Sequence, residues 1–238
     1  APFSLGATEE YLLGYYYLQE AASQLPVIAL KNILGESLKN AVVLDMAAAP
    51  GSKTTQLAAV MDNQGKIVAL DADMNRSKAL ADNLERCGVT NTTAYVKDGR
   101  YVADLGMEFD AILLDAPCSG NFCLQDDWLE ARTLLSSREK APLQQELLQA
   151  AWDVLRPGGV LIYSTCSLEP EEDEEVLHAG IPRDVHLVDM GLSVGDPGVR
   201  ELDGKDFGDT YQHARRIWPH RHGMQGFFIA AVQKPGRE

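Results

Sequence analysis

The sequence predicts an α/β protein built on a doubly wound, mostly parallel sheet of seven strands. Short apolar runs rich in β-branched residues alternate with segments of helical spacing along most of the chain. Such alternation with short connections is typical of parallel strands whose crossover helices cover both faces of the sheet. The last run follows a long irregular stretch over residues 191–226 and is predicted as an antiparallel edge strand.

The predicted strands are seven apolar runs: 41–46, 66–71, 92–96, 111–115, 160–165, 185–188 and 227–232. Between them lie four predicted helices: 53–61, 75–87, 142–155 and 171–179. In the third helix apolar residues recur at helical intervals from Leu143 to Leu155, and Pro157 with two glycines ends it. Ahead of the first strand, residues 11–30 predict one or two helices against the sheet. We interpret the tyrosines there as core and rim residues; a platform for stacking bases is the alternative.

Length and composition place the chain among ordinary globular proteins. Its 238 residues are enough for one large domain with a buried core. No apolar stretch reaches the roughly 18–20 residues of a membrane span, and the first residues lack the pattern of a secretory signal. The net charge of −14 argues against a general nucleic-acid coat, although it leaves room for a local basic site.

Cysteine usage favours reduced thiols over a metal site or a disulfide framework. No CxxC pair occurs among the four cysteines, which are Cys87, Cys118, Cys123 and Cys166. Without a secretory signal, thiols in a reducing cytosol are the simpler interpretation, so we expect a cytoplasmic protein. His220 and His222 resemble half of a metal site, but no second pair accompanies them, and we expect no metal.

Five consecutive predicted strands end in small, acidic or reactive residues. The first ends in the small-residue turn DMAAAPGSKT, which leads directly into a helix. Asp71 ends the second strand, about 20 residues past the turn, where an acid can accept the hydroxyls of a ribose. Asp98 follows the third strand, Asp115 ends the fourth and Cys166 follows the fifth. Each acid alone fits a turn residue or a helix cap, but the series indicates a binding site.

The turn and the acids favour an adenosine carrying a short charged tail. Small side chains let a ligand approach the backbone, and a helix N-terminus favours a carboxylate. The sequence does not match the GxxxxGK[ST] pattern of a Walker loop, because the first glycine is missing and Ser52 separates Gly51 from Lys53. The GxGxxG pattern of dinucleotide sites is also absent. S-adenosyl-L-methionine therefore fits better than ATP or NAD.

Four motifs resemble, in order and spacing, the Sun/Nop family of RNA cytosine-5 methyltransferases. They read DMAAAPGSKT, DGR, DAPCSG and STCSLEPEEDE. The resemblance extends to LGATEEYLLGYYYLQEAAS near the start and RRIWPHRHGMQGFFIA near the end, and it looks strongest to compact archaeal members that act on tRNA. It implies a Rossmann-like methyltransferase fold, S-adenosyl-L-methionine as methyl donor and RNA as substrate, with tRNA favoured over rRNA. Residues 1–40 would then be a helical segment packed on a methyltransferase domain over 41–238.

Carried over by position, the resemblance assigns a role to each motif residue. The cofactor turn falls on Ala47, Ala48, Ala49, Pro50, Gly51, Ser52 and Lys53. Further cofactor contacts fall on the ribose acid Asp71 with Arg76 beside it, on Asp98 at the adenine and on Asp115. The nucleophile falls on Cys166, with Cys118 as its helper. The family pattern is broken at Ser52, where glycine is usual, and over residues 121–131 after DAPCSG.

The chemistry of cytosine methylation explains why such residues are needed. Carbon 5 is too weak a nucleophile until a thiolate adds at carbon 6, after which the carbon-5 proton must leave. Asp115 can bond the edge of the pyrimidine ring, and the carbonyl of Pro117 can accept from the exocyclic amine. A thiol with an ordinary pKa of about 8.5 needs activation, and we expect Lys53 near Cys166 for that reason. The target base must also leave its stack.

Two charged segments outside these motifs also carry predictions. The basic cluster of Arg215, Arg216, His220 and Arg221 is interpreted as a local phosphate contact, with Arg216 and Arg221 as the RNA-binding residues; simple surface charge is the alternative. Residues 169–175 form an acid-rich helix start, which we interpret as solvated. Cys87 and Cys123 fit packing or surface positions.

Two other functions stay open at this stage. One is a methyltransferase acting on DNA or a small molecule, although DNA cytosine-5 enzymes use their Pro-Cys cysteine as nucleophile and lack the later Thr-Cys-Ser. The other is a binding module that keeps the fold without catalysis, against which the intact Cys166 and Asp115 argue. We expect a monomer.

Overall fold

The computed structural model describes residues 4–120 and 134–236. Its strands are β1 (Val42–Asp45), β2 (Lys66–Asp71), β3 (Thr92–Val96), β4 (Phe109–Asp115), β5 (Leu155–Thr165), β6 (Asp196–Pro197), β7 (Glu201–Leu202), β8 (Lys205–Asp206), β9 (Arg215–Ile217) and β10 (Phe227–Gln233). Its α-helices are α1 (Glu9–Leu12), α2 (Leu25–Leu34), α3 (Ser52–Val60), α4 (Met74–Arg86), α5 (Leu134–Val154), α6 (Glu174–Gly180) and α7 (Pro219–His222). The predicted loop over residues 121–131, with Cys123, lies outside the described residues.

Eight of these strands form one sheet in the order β3-β2-β1-β4-β5-β10-β9-β6. The first five in that order are parallel to one another. Strand β10 then pairs antiparallel with β5, and β9 and β6 continue the antiparallel edge. The predicted α/β class, with a mostly parallel sheet and an antiparallel last strand, is therefore confirmed.

The sixth predicted strand, residues 185–188, is wrong. This segment makes one isolated bridge, between Leu187 and Val232 of β10. Strand β9 pairs with Phe227–Ile229, so the segment meets only the end of β10, where the Val188 amide donates to the Ala231 carbonyl at 2.9 Å. Strands β9 and β6, which the sequence analysis missed, complete the described sheet to eight strands.

Both faces of the sheet are covered, as near-continuous apolar runs require of parallel strands. In β4, Ile112 and Leu114 face the core beneath α5 and α6, whereas Ala111 and Leu113 face the core beneath α2 and α3. A smaller cluster joins Leu80 of α4 to the alanines of the small-residue turn. Packing thus holds that turn between two helices at the end of β1.

Several predicted helix bounds move. Helix α5 begins eight residues before Pro142, which lies inside it, and α6 begins at Glu174 after a turn. In the predicted helical region near the start, the single turn α1 and a short 3₁₀ helix over Ala22–Gln24 precede the longer α2, which contacts β4, β5 and β10. No helix within the two described ranges is long and apolar enough to cross a membrane. The division at residue 40 stays a prediction.

The tyrosines of the N-terminal segment lie at its rim rather than in its core. Tyr15 is exposed, and Tyr11, Tyr16 and Tyr17 are half-buried. Arg86 of α4 stacks on the Tyr11 ring with its guanidinium carbon 4.0 Å from the centroid. These tyrosines are therefore rim residues, as predicted, and the prediction that some of them lie in the core is wrong.

Candidate active site

The carboxyl ends of the parallel strands gather the predicted residues at one edge of the sheet, where ligands of such folds bind. A cavity of about 520 Å³ opens there. Its walls include residues 47–50 of the turn and the side chains of Lys53, Arg76, Asp115 and Cys166. Residues 17–20 and Phe227 also line it. Part of the predicted cofactor turn therefore shares one cavity with Lys53, Asp115 and Cys166, whereas Gly51, Asp71, Asp98 and Cys118 are not among its lining residues.

The turn after β1 needs glycine at its last position. Gly51 has a φ of 106°, in the left-handed region that other residues rarely adopt. A Cβ there would lie 3.1 Å from the Leu80 side chain. The Gly51 amide donates to the Ala48 carbonyl at 2.7 Å, and the Ala48 amide donates to Leu70 of β2 at 2.8 Å. The turn is consequently a tight, preformed cradle, and Ser52 begins α3.

Asp71 and Arg76 hold this turn from the side of β2. The Asp71 carboxylate is buried, and it accepts from the amide of Ala49 at 3.2 Å and from that of Asp73 at 3.0 Å. Arg76 donates to the Ala49 carbonyl at 2.6 Å and lies 3.5 Å from the Asp71 carboxylate. Oδ2 faces both the Ala49 amide and Arg76, whereas Oδ1 accepts from the Asp73 amide and has a second lone pair that can accept from a ligand hydroxyl.

Asp98 is engaged by a neighbouring arginine. The Arg100 guanidinium donates to both Asp98 oxygens, the shortest contact being 2.7 Å, and also to Glu146 of α5 at 2.8 Å. The Arg100 side-chain hydrogen bonds lower the pKa of Asp98. Asp98 also accepts from the Arg100 amide at 3.0 Å, which caps a short 3₁₀ helix. An adenine contact by Asp98 stays a prediction.

Asp45, at the end of β1, is a buried acid that the sequence analysis did not single out. Its Oδ2 accepts from Thr54 of α3 at 2.7 Å, whereas its Oδ1 has no hydrogen-bond partner among the described residues. Loss of solvation raises the pKa of Asp45 to about 6. The carboxyl group thus binds its proton more tightly in the folded chain than in the unfolded one.

This raised pKa predicts a pH dependence of stability. A carboxyl whose pKa rises on folding stabilises the fold at low pH, and that contribution is lost as pH rises toward 6. Relative to Asp45→Asn, the free energy of unfolding of the wild type should therefore fall by about 2 kcal/mol between pH 4 and pH 7. Urea unfolding at both pH values measures it. A constant difference, like that expected for the exposed Asp82→Asn control, would contradict the assignment.

Lys53 and Asp115 form an ion pair at the centre of the cavity. The ammonium group of Lys53 donates to Asp115 Oδ2 at 2.7 Å and to Ser23 Oγ at 3.0 Å. Ser164 of β5 donates to Asp115 Oδ1 at 2.7 Å. Lys53 is 6% exposed, so this charge depends on its partners. Sequence reasoning missed Ser23 and Ser164, since nothing in their local patterns indicated that they would meet Asp115.

Cys118 and Cys166 meet at the ends of the adjacent strands β4 and β5. Their Sγ atoms are 2.8 Å apart, and neither forms a disulfide. The hydrogen bond with Cys166 and burial raise the pKa of Cys118 well above its usual range. Cys118 therefore keeps its proton at neutral pH and can donate a hydrogen bond to the sulfur of Cys166. The third described cysteine, Cys87, is half-buried, away from this pair.

The interpretation of residues 169–175 as a solvated helix start is wrong. Glu172, Asp173 and Glu174 are each 0% exposed. Their side chains accept from donors on β5, β9 and the loop after β4, and this set of hydrogen bonds offsets the cost of burying the charges.

The proposed RNA contact of Arg216 is likewise contradicted by its burial. Arg216 is 1% exposed, and its guanidinium pairs with Glu174 in two hydrogen bonds and donates to the Leu168 carbonyl at 2.9 Å. The strand pattern explains the error, because alternate residues of a strand face opposite sides, so consecutive arginines in β9 cannot share one surface. Arg215 is half-buried, and Arg221 is exposed and paired with Asp196.

Pro117 and the histidines take structural partners. The Pro117 carbonyl accepts from Gln144 of α5 at 3.0 Å, which leaves its second lone pair for another donor. His222 Nδ1 accepts from the Trp218 amide at 2.9 Å at the start of α7. Within residues 4–120 and 134–236, no cluster of three or more His, Cys, Asp or Glu side chains is arranged to hold a metal ion.

Known proteins share both the sequence and the fold of this chain. Residues 33–233 match the protein family described as 16S rRNA methyltransferase RsmB/F. The Ribosomal RNA small subunit methyltransferase F of Vibrio vulnificus is 42% identical over 97% of this chain and 48% of its own length. The tRNA (cytosine(49)-C(5))-methyltransferase of Pyrococcus abyssi is 41% identical over 97% of this chain and 74% of its own length. The chain thus spans about half the length of the Vibrio relative.

A solved structure of similar sequence has the same fold as this chain. NSun6 from Pyrococcus horikoshii, solved with SFG, superposes with a TM-score of 0.84 and 36% identity, covering 98% of this chain and 57% of that one. The Rossmann-like methyltransferase fold and the resemblance to the Sun/Nop family are therefore confirmed. The family match spans the turn, both cysteines of the pair and the buried acids. The chain belongs to the family described as 16S rRNA methyltransferase RsmB/F.

Proposed function

We propose that this chain transfers a methyl group from S-adenosyl-L-methionine to carbon 5 of cytosine in RNA. The observation that carries the proposal is the thiol pair of Cys118 and Cys166, which adjoins the Lys53–Asp115 ion pair at the strand ends. A nucleophile, a proton-handling partner and a group for the ring edge are the three parts that this chemistry needs. The named RNA methyltransferases among the relatives support the same conclusion.

The cofactor side of the cavity fits S-adenosyl-L-methionine. Asp71 can accept from a ribose hydroxyl, Asp98 can accept from an adenine amine, and the N-terminus of α3, which follows the turn, favours a carboxylate. When bound, this cofactor supplies an electrophilic methyl group. The chain's own residues bind and orient it at the edge where Asp115 and Cys166 lie.

Cys166 is the proposed nucleophile. Its thiolate sulfur forms a bond to carbon 6 of the cytosine, and the electron pair of the ring double bond becomes available at carbon 5. Carbon 5 then bonds to the methyl group, with S-adenosyl-L-homocysteine as the leaving group. The Cys118 thiol stabilises the attacking thiolate by its hydrogen bond. A water molecule takes the carbon-5 proton, the electron pair of that bond restores the ring double bond, and the Cys166 sulfur leaves carbon 6 as a thiolate. We assign assistance with this release to Cys118.

Asp115 and Lys53 are the proposed partners of the ring edge. Ser164 and Lys53 each hold one oxygen of Asp115, so the carboxyl group has a fixed orientation. A proton from the Lys53 ammonium can reach the ring through Asp115 along their 2.7 Å hydrogen bond and neutralise charge that builds on the ring nitrogen. The Pro117 carbonyl can accept from the exocyclic amine beside its bond to Gln144.

Replacing Asp71 with alanine should weaken binding of S-adenosyl-L-methionine. The change removes a charged acceptor, so affinity should fall by roughly tenfold to a hundredfold, or about 1.5–3 kcal/mol. Calorimetric titration of the cofactor measures the change. Asp73→Ala is the matched control, because Asp73 caps α4 with an exposed side chain. Equal affinities in all three proteins would show that the ribose binds elsewhere.

Transfer of a labelled methyl group to tRNA, rRNA and duplex DNA tests the proposed reaction. We expect transfer to RNA, with tRNA favoured and rRNA next, and bisulfite sequencing then identifies the cytosine. Activity on duplex DNA alone would replace this proposal by a DNA methyltransferase. Cofactor binding without transfer to any of these substrates would favour a binding module. A cytoplasmic location and a monomeric state remain predictions.

A further inference from the structure

Glu172 is a buried carboxylate that contacts both cysteine loops. Its Oε2 accepts from the Ser119 amide at 2.9 Å, and its Oε1 accepts from the Ser119 hydroxyl. Oε1 also accepts from the hydroxyl of Ser167 at 3.2 Å. Ser119 directly follows Cys118, and Ser167 directly follows Cys166. One side chain thereby links the residues next to the two sulfurs.

Two further residues hold this carboxylate in place. Gln144 of α5 donates from its amide nitrogen to Glu172 Oε2 at 2.9 Å and to the Pro117 carbonyl at 3.0 Å. Tyr163 of β5 donates its hydroxyl to the Glu172 carbonyl at 2.6 Å. Both the side chain and the backbone of Glu172 are therefore fixed to the sheet and to α5. We call Glu172 and its hydrogen bonds to Ser119, Ser167 and Gln144 the bracket.

The chemistry of the bracket favours a carboxylate. Both of its oxygens accept hydrogen bonds at once, and the negative charge strengthens each bond. A glutamine amide is neutral and would place its NH2 group toward the Ser119 and Ser167 hydroxyls, which would then lose the acceptor for their own protons. The bracket lies behind sulfurs that are 2.8 Å apart, and a displacement of about 1 Å at reacting groups can cost roughly a hundredfold in rate. Small movements of either loop would therefore lower the rate of methyl transfer.

We propose that Glu172 is a positioning residue that sets the separation of the Cys118 and Cys166 sulfurs. The proposal rests on the function inferred above for those two cysteines. Glu172 acts through Ser119 and Ser167, whose hydroxyls donate to its carboxylate together with the Ser119 amide. Its contribution is to kcat, because the bracket orders the reacting thiols rather than binding the cofactor.

Glu172→Gln tests the bracket, with Glu175→Gln as the control. Glu175 lies three residues further along, in the first turn of α6, is half-buried and pairs with Lys205. The first readout is independent of catalysis: diamide oxidises two adjacent thiols to a disulfide while being reduced to its hydrazine, and mass spectrometry identifies the Cys118–Cys166 peptide. We expect crosslinking to slow by roughly tenfold or more in Glu172→Gln and to stay near wild type in Glu175→Gln.

The second readout is the split between kinetic constants. We expect kcat for methyl transfer to fall roughly tenfold or more in Glu172→Gln, with the KM for RNA and the affinity for S-adenosyl-L-methionine within about twofold of wild type. The combined Ser119→Ala and Ser167→Ala variant removes hydroxyl donors and keeps the buried carboxylate, so it reports on the bracket if Glu172→Gln does not fold. It should show the same slow crosslinking.

The outcomes separate this proposal from the proposed function. Unchanged crosslinking in a folded Glu172→Gln protein, or in the serine variant, would overturn the positioning role. Slow crosslinking in a chain that methylates no nucleic acid would support the bracket and overturn the proposed function. A fall in cofactor affinity as large as the fall in kcat would show a general structural role and overturn the bracket.

Discussion

Replacing Cys166 with alanine is expected to abolish methyl transfer, while Cys118→Ala is expected to trap a covalent protein–RNA adduct. Without the Cys166 sulfur no bond to carbon 6 forms, so carbon 5 stays unreactive. Without Cys118 the attack and the methylation can proceed, but loss of the carbon-5 proton and release of the sulfur should slow. The adduct is visible as a retarded band in denaturing electrophoresis of protein incubated with RNA and cofactor.

The two variants have built-in controls. Both thiols lie outside the hydrogen bonds that hold the turn and Asp71, so cofactor affinity should stay near wild type in each variant. The double variant should form no band, because the nucleophile is missing. If Cys166→Ala traps RNA and Cys118→Ala does not, Cys118 is the nucleophile and Cys166 the helper. The chain would then use its Pro-Cys cysteine for attack, as DNA cytosine-5 methyltransferases do.

Local patterns were enough to predict the parallel part of the sheet and the residues at its strand ends. Strand β2, for example, has the bounds that its apolar run predicted. The Cys118 and Cys166 motifs end neighbouring strands, so parallel pairing alone brings them together. The antiparallel edge was harder, because β6 and β9 are two and three residues long and lie in an irregular stretch. Two or three residues are too few to show the alternation of apolar and polar residues that indicates a strand.

Buried charges were the part of the site that sequence reasoning could not predict. Five consecutive acids follow Pro170, a pattern typical of a solvated helix start, yet three of them are buried. Their burial depends on donors that lie far away in the sequence, such as Thr165, which donates to Asp173 at 2.6 Å, and Arg216. The same holds for Ser23, whose contact with Lys53 joins segments 30 residues apart. Only tertiary structure supplies such partners.

Replacing Arg216 with methionine should strongly destabilise the fold. Arg216 is 1% exposed and its guanidinium lies between Glu174 and Asp173, both fully buried. Removing one partner of a buried ion pair leaves an uncompensated charge and costs about 3–5 kcal/mol, a large part of the 5–15 kcal/mol that holds a typical domain together. Urea unfolding gives the free energy. Arg215→Met, at the neighbouring position of β9, is the matched control and should cost roughly 1 kcal/mol or less.

The pH dependence of the Arg216→Met effect identifies its cause. Burial already raises the pKa of Asp173 well above its usual range, and losing the cation raises it further. Carboxyls with a raised pKa are better tolerated when protonated, so stability relative to wild type should fall as pH rises from 5 to 8. Arg216→Lys keeps the charge but not the paired donors to Glu174, so it should recover part of the loss. If Arg216→Met and Arg215→Met unfold at the same urea concentration at both pH values, the buried acids do not depend on Arg216, and the acid cluster is held by its neutral donors instead.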